Sequence, residues 1–222
     1  MSTTFWSVKG GVGVSSITAL AALAHAGQAN PTLLVDLCGD QPALLGLAEP
    51  DGPGILDWAS TPGRPPAAIG RIAIEATPDL RVVPSGSGVP PSEAAPTVEA
   101  LAAQPADVFV DAGTAITPFA RDVVRRSSAR LMVLRCCYLT LRAASDLEIE
   151  PTGVVLVRER GRALGIGDVE SVTGAPVIAE VGLDISLART LDAGLLASRP
   201  PRALLRTLAA TTSPSRIGMA RP

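Results

Sequence analysis

Lysine is almost missing from this chain: of 19 basic residues only Lys9 is a lysine, and the rest are arginines. Histidine occurs once, as His25, with no matched nucleophile to make it a catalyst, so a surface or packing role is expected. The three cysteines, Cys38, Cys136 and Cys137, are odd in number and contain no CxxC pair, so neither a disulfide framework nor a zinc site is indicated. Reduced thiols are expected, with Cys136 and Cys137 in the core, and no zinc or haem. Aromatic residues make up 3% of the chain against 47% hydrophobic residues. The core must then be Ala, Leu, Val and Ile, which favours helices layered on a buried parallel sheet over a small aromatic-centred barrel. A net charge of −2 leaves no global basic field for nucleic acid. No apolar run reaches the ~18 residues of a membrane span. Residues 1–29 imitate a secretory leader, but their basic residue lies within a glycine loop and "TTFWSV" reads as a strand. A cytoplasmic protein is expected.

What the chain does have is alternation. The runs "TTFWSV", "PTLLVDL", "DLRVVPSG", "ADVFVDAG", "RLMVLRCC", "TGVVLVRE" and "PVIAEV" read as strands separated by helical stretches, the first being "SSITALAALAHAG". The pattern predicts an α/β fold: a doubly wound, mostly parallel sheet of about seven strands with helices on both faces. It is expected to form one domain over 1–210, with a disordered tail over 211–222. Two stretches rich in Pro, Gly and Ser, 60–70 and 84–96, read as surface loops. In such sheets ligands lie at the carboxyl ends of strands, and Lys9, Asp36 and Asp111 all fall there.

The stretch "SVKGGVGVSS", residues 7–16, joins the first strand to the first helix. Gly10, Gly11 and Gly13 let the backbone curl around an anion, while the loop amides and the helix start at Ser15 offer donors and a positive dipole end. Against the general phosphate-loop pattern G-x-x-x-x-G-K-[ST], Gly13 and Ser15 match, but Val8 stands at the first Gly and Val14 at the Lys.

The stretch resembles instead the deviant loop of the ParA/MinD family of P-loop ATPases, x-K-G-G-x-G-K-[ST], with Lys9-Gly10-Gly11-Val12-Gly13 in place. "LLVDLCGDQPALLGL" is similar to that family's second-strand motif, "ADVFVDAG" to its Walker B strand, and "TGVVLVRE" and "PVIAEVGLD" to its late strands. The likeness covers most of the chain and leans to the divergent MinD-like branch linked to septum siting and pilus localisation. It implies ATP with Mg²⁺: nucleotide contacts from Lys9, Gly10, Gly11, Val12, Gly13, Val14, Ser15 and Ser16, and Mg²⁺ near Ser15, Asp36 and Asp111. It implies that Lys9 reaches across a dimer to the partner's phosphates, a task for which a flexible point charge suits better than a planar fork. As partners it implies a second copy (dimer or polymer), a division or pilus-assembly protein, and DNA.

The departures from the family pattern concern turnover. Val14 supplies no charge where the family's lysine grips phosphate, a loss worth a few kcal/mol, or on the order of a hundredfold in affinity. The family's D-x-D reads Asp36-Leu37-Cys38 here, so the carboxylate that orients the attacking water is missing, with Asp40 nearby as a candidate replacement. Arg158 and Gly182 stand where the family often has base-contacting Asn and Pro. The leading expectation is a positioning protein with a degenerate site and slow or absent hydrolysis. One alternative is a slow ATPase using Lys9 and Asp40. Another is a nucleotide-independent DNA-binding or filament-forming scaffold using Arg121, Arg125, Arg126 and Arg130, which otherwise form a solvated helix face. The glycine loop itself is either a nucleotide cradle or a turn that the fold needs. "RALLRTLAA" is short for a membrane-binding C-terminal helix.

Overall fold

In the computed structural model, which describes residues 2–146 and 148–212, the apolar runs become strands, the central ones buried on both faces. They are β1 (Ser2–Trp6), β2 (Thr32–Asp36), β3 (Ile74–Thr77), β4 (Leu80–Val83), β5 (Asp107–Asp111), β6 (Ala129–Arg135), β7 (Gly153–Arg158) and β8 (Val177–Gly182). They make one sheet in the order β3-β4-β2-β5-β1-β6-β7-β8, with every pairing parallel except β3 on β4. This is the expected α/β sheet with one strand more. β3 escaped notice because it is a half-exposed edge strand, "IEAT", with no buried apolar run to mark it.

The helices are α1 (Val14–Ala26), α2 (Gln41–Leu45), α3 (Ile55–Ala59), α4 (Ala67–Ile72), α5 (Ala95–Ala102), α6 (Pro118–Arg126), α7 (Tyr138–Ala144), α8 (Ile166–Thr173), α9 (Ile185–Asp192) and α10 (Arg202–Leu208). They cover both faces because strand side chains alternate. Phe5, Leu34, Phe109, Leu131 and Val155 pack towards α1 and α10. Leu33, Val35, Val108 and Val110 pack on the other face with residues of α3 to α6, and Trp6, Met132 and Leu156 with residues of α6 to α8. The reading of 60–70 as loop is corrected at its end: α4 begins at Ala67, drawn onto the core by the fully buried Ile69.

α1 buries ten of its 13 residues, half of them alanines, which lets it lie close to the sheet beneath the glycine loop. Near its end, His25 Nε2 lies 2.9 Å from Asp107 Oδ2 and the ring rests on Phe109, a packing role. Cys136 is buried as expected, but Cys137 is not: it caps α7 half-exposed, its Sγ 3.1 Å from Thr140 Oγ1. α10 packs on α1 through Leu204 and Leu208, and a 3₁₀ turn over Ala209–Thr212 buries Thr211, so ordered packing runs past 210. The rest of the expected tail, 213–222, lies outside the described residues. Among the described residues no helix is long and apolar enough to cross a membrane.

Candidate functional site

The register of the sheet builds the site. Phe5 and Asp36 both pair with Asp111, so β1, β2 and β5 end level with one another. Beyond those ends the chain turns three times, at the glycine loop, at Cys38–Asp40 and at Gly113–Thr114. The turns enclose a cleft of about 600 Å³, closed on its other sides by α2 and by Leu191 and Asp192 of α9. Of the loop residues foreseen as nucleotide contacts, all line this cleft except Val12, whose side chain is buried in the core. Gly11 (φ +75°) and Gly13 (φ +96°) hold left-handed backbone that a side chain rarely adopts, though neither position is crowded. Lys9 is exposed at the cleft. Val14 opens α1 and faces two ways: it lines the cleft, yet is only 7% exposed because it joins the core beside Ile17.

Beneath the cleft lies a cluster of polar groups. Asp36 is fully buried; its Oδ1 accepts from the backbone N–H of Cys38 and Gly39 (both 2.8 Å), and its Oδ2 from that of Gln41 (2.9 Å). Burial outweighs these bonds and pushes its carboxyl up to about 6. Asp111, also fully buried, accepts from Gln41 Nε2 (2.8 Å) and Gly113 N (3.1 Å) and is bonded by the Ser15 hydroxyl; burial again raises its pKa. Cys38 Sγ lies 3.9 Å from Asp111 Oδ1, and burial with three neighbouring carboxylates, Asp111, Asp36 and Asp40, pushes its thiol well up. Asp40 is exposed and lines the cleft. Gln41 was overlooked in the sequence, yet it is fully buried and ties the loop to the cluster, its Nε2 also reaching the Ser15 carbonyl at 3.0 Å. Its one sequence signal was its place beside Asp40 in a turn that closes on a strand end.

No protein-family model matches the sequence, and no curated protein matches it. Solved structures do. MinD from Pyrococcus horikoshii OT3, complexed with Mg-ADP, matches with a TM-score of 0.77 at 15% identity, covering 99% of each chain. A chain of the MinC:MinD cell division complex of Aquifex aeolicus gives 0.75 at 20% identity, over 100% of this chain and 97% of that one. A ParA family ATPase from Chlorobium tepidum TLS gives 0.73 at 20% identity, over 96% and 99%. The chain has the ParA/MinD fold. At these identities the likeness speaks for the architecture of a ParA/MinD-type protein, and the chemistry rests on the residues.

Away from the cleft, the arginines foreseen as a basic patch do not form one free surface. Arg130 is on β6 and gives its Nε to the Glu150 carbonyl (2.8 Å). Arg125 pairs with Glu148 (3.4 Å), Arg121 approaches the same carboxylate (3.9 Å), and Arg126 is held by Asp122 at 2.9 Å. Asp122 also accepts from the Ala94 N–H at the start of α5 (2.8 Å). Burial alone would raise its pKa, but the Ala94 N–H and Arg126 hold it below the usual value. A group depressed in the folded state stabilises above its unfolded pKa, and that stability is lost as pH falls through the folded one. Asp122→Ala is therefore expected to cost about 1–2 kcal/mol at pH 7, a difference that shrinks below pH ~4 in urea melts. Arg158 is bound to Glu180 (2.7 Å) and pairs across the sheet with Gly182; neither lines the cleft.

Proposed function

We propose that this chain is a ParA/MinD-like positioning protein, cytoplasmic and self-associating, whose cleft binds nucleotide but turns it over slowly or not at all. One observation carries the reading: a glycine loop with left-handed Gly11 and Gly13 and an exposed Lys9 lines the same cleft as an uncharged Val14 and a thiol at Cys38. The loop amides and Ser16 suit phosphate oxygens. Ser15 and Asp111 offer the hard oxygen donors that Mg²⁺ prefers, and among the described residues no ion pair occupies Asp111. They would hold Mg²⁺, which supplies charge neutralisation at the phosphates, while Asp36 orders the turn beside it. Lys9, exposed at the cleft, suits a contact with a second copy. A division or pilus-assembly protein is the other partner this reading favours. DNA is less favoured, because the foreseen arginines have acidic or backbone partners.

Asp40 supports a second reading, a slow ATPase in which it takes over the orientation of water. Calorimetry with ATP and Mg²⁺, beside phosphate release and light scattering, separates the readings. The expected result is weak binding, negligible phosphate release, and ATP-dependent association that Lys9→Ala abolishes. Phosphate release that depends on both Lys9 and Asp40 would favour the slow ATPase. Absence of binding at millimolar ATP would reduce the loop to a turn.

A further inference from the structure

Asp36, Cys38 and Asp111 bring one oxygen, one sulfur and one oxygen within 4.8 Å of one another. Two of the three are fully buried carboxylates, and among the described residues neither is paired with an arginine, lysine or histidine. Buried carboxylates without a cation are costly. A second observation points to a ligand. Gln41 is fully buried, its amide end lies against the cluster through the 2.8 Å bond to Asp111, and its Oε1 has no hydrogen-bond partner. With the amide fixed at Asp111 through Nε2, Oε1 is a buried acceptor open to a cation. Asp36 accepts from three backbone N–H groups, and Asp111 from the Gly113 N–H, Gln41 Nε2 and the Ser15 hydroxyl, which leaves about one lone pair free on each carboxylate. Entry is open, since Cys38 is exposed and lines the cleft. Gly113, whose missing Cβ would stand 2.5 Å from Cys38 Sγ, leaves the thiol room at this spot.

We propose that Asp36, Cys38 and Asp111, with the Gln41 carbonyl, form a site for a borderline-soft divalent cation of the Zn²⁺ class, occupied without nucleotide. A thiolate ligand separates this ion from Mg²⁺, which takes oxygen donors in near-octahedral geometry. Ligand atoms on a tetrahedral Zn²⁺ lie roughly 3.5 Å apart, so binding closes the cluster, whose atoms lie within 4.8 Å of one another, by about an ångström. The thiol proton leaves to solvent as the metal–sulfur bond forms. The site stands whether or not the cleft binds ATP.

Titration of the purified full chain with Co²⁺, a spectroscopic stand-in for Zn²⁺, tests it in the absence of nucleotide. The expected result is a near-ultraviolet sulfur-to-cobalt band that Zn²⁺ abolishes, that Cys38→Ser removes, and that Cys136→Ala/Cys137→Ala leaves in place. Zn²⁺ affinity measured by chelator competition should fall at least about 10–100-fold in Cys38→Ser, with circular dichroism showing that variant folded. Cys38→Asp, which keeps a ligand but not the sulfur, should retain metal binding without the band. No band in the native chain, or a band that follows Cys136 and Cys137, overturns the site. Failure of ATP to bind in calorimetry would leave the cobalt result untouched, so the two proposals fail separately.

Discussion

Gly46→Ala is expected to lower the stability of the chain by about 3–5 kcal/mol, enough to threaten folding at growth temperature. Gly46 ends α2 with φ +75°, in the left-handed position that closes a helix through bonds from Gly46 N to Ala43 O and from Leu47 N to Pro42 O. The strain of placing a side chain there accounts for about 1 kcal/mol. The rest comes from collision: a Cβ would stand 1.9 Å from the carbonyl oxygen of Gly194 and 2.7 Å from its carbon. Both atoms are backbone, so no side chain can swing away. The contact also bears on the cleft. α2 forms one of its walls, and Gly194 follows α9, which supplies Leu191 and Asp192 to another. Gly174→Ala is the control, because Gly174 has φ +66° but nothing within 4 Å of a new Cβ; it should cost about 1 kcal/mol. Equal midpoints for the two variants in urea would show that the Gly46–Gly194 contact is loose.

The sheet and the loop were legible because burial on both faces writes itself as uninterrupted apolar sequence and because left-handed turns demand glycine. Hence seven strands, the glycine loop of Gly10 to Gly13, and the strand-end carboxylates Asp36 and Asp111 could be read without coordinates. What could not be read depends on neighbours distant in the chain. β3 is half-exposed and is a strand only because β4 lies beside it. α2, α3 and α4 are five or six residues long, too short for a helical period to show. The convergence of Cys38 with Asp111 follows from the β2–β5 register, which no local spacing encodes; counting CxxC motifs could not find it. That the Val12 side chain turns into the core while its neighbours line the cleft is likewise set by packing and not by position in the loop. The partners of the arginines divide in the same way. Asp122, four residues before Arg126, was visible in the sequence as its i,i+4 partner, whereas Glu148 reaches Arg125 from the segment between α7 and β7, 23 residues away.

Val14→Lys is expected to tighten ATP–Mg²⁺ binding on the order of a hundredfold. The residue stands at the first position of α1, behind the left-handed Gly13, where a side chain can follow the cleft wall. A lysine stem would start where the valine packs against the core and carry its ammonium into the cleft, towards bound phosphate. The gain would be partly offset. Val14 is packed in the core, so exchanging it should cost about 1–2 kcal/mol of stability, and without ligand the new ammonium would be drawn to the acidic cluster. Val14→Met isolates charge from length: it brings a long side chain without the ammonium and should bind ATP no better than the native chain. If lysine and methionine gave the same calorimetric affinity, the cleft would not be holding phosphate at that point, and the nucleotide reading would fall. If lysine alone tightens binding while phosphate release stays negligible, the losses at positions 14 and 38 are separable, the first governing affinity and the second turnover. Adding Cys38→Asp to Val14→Lys should then raise phosphate release above either single variant.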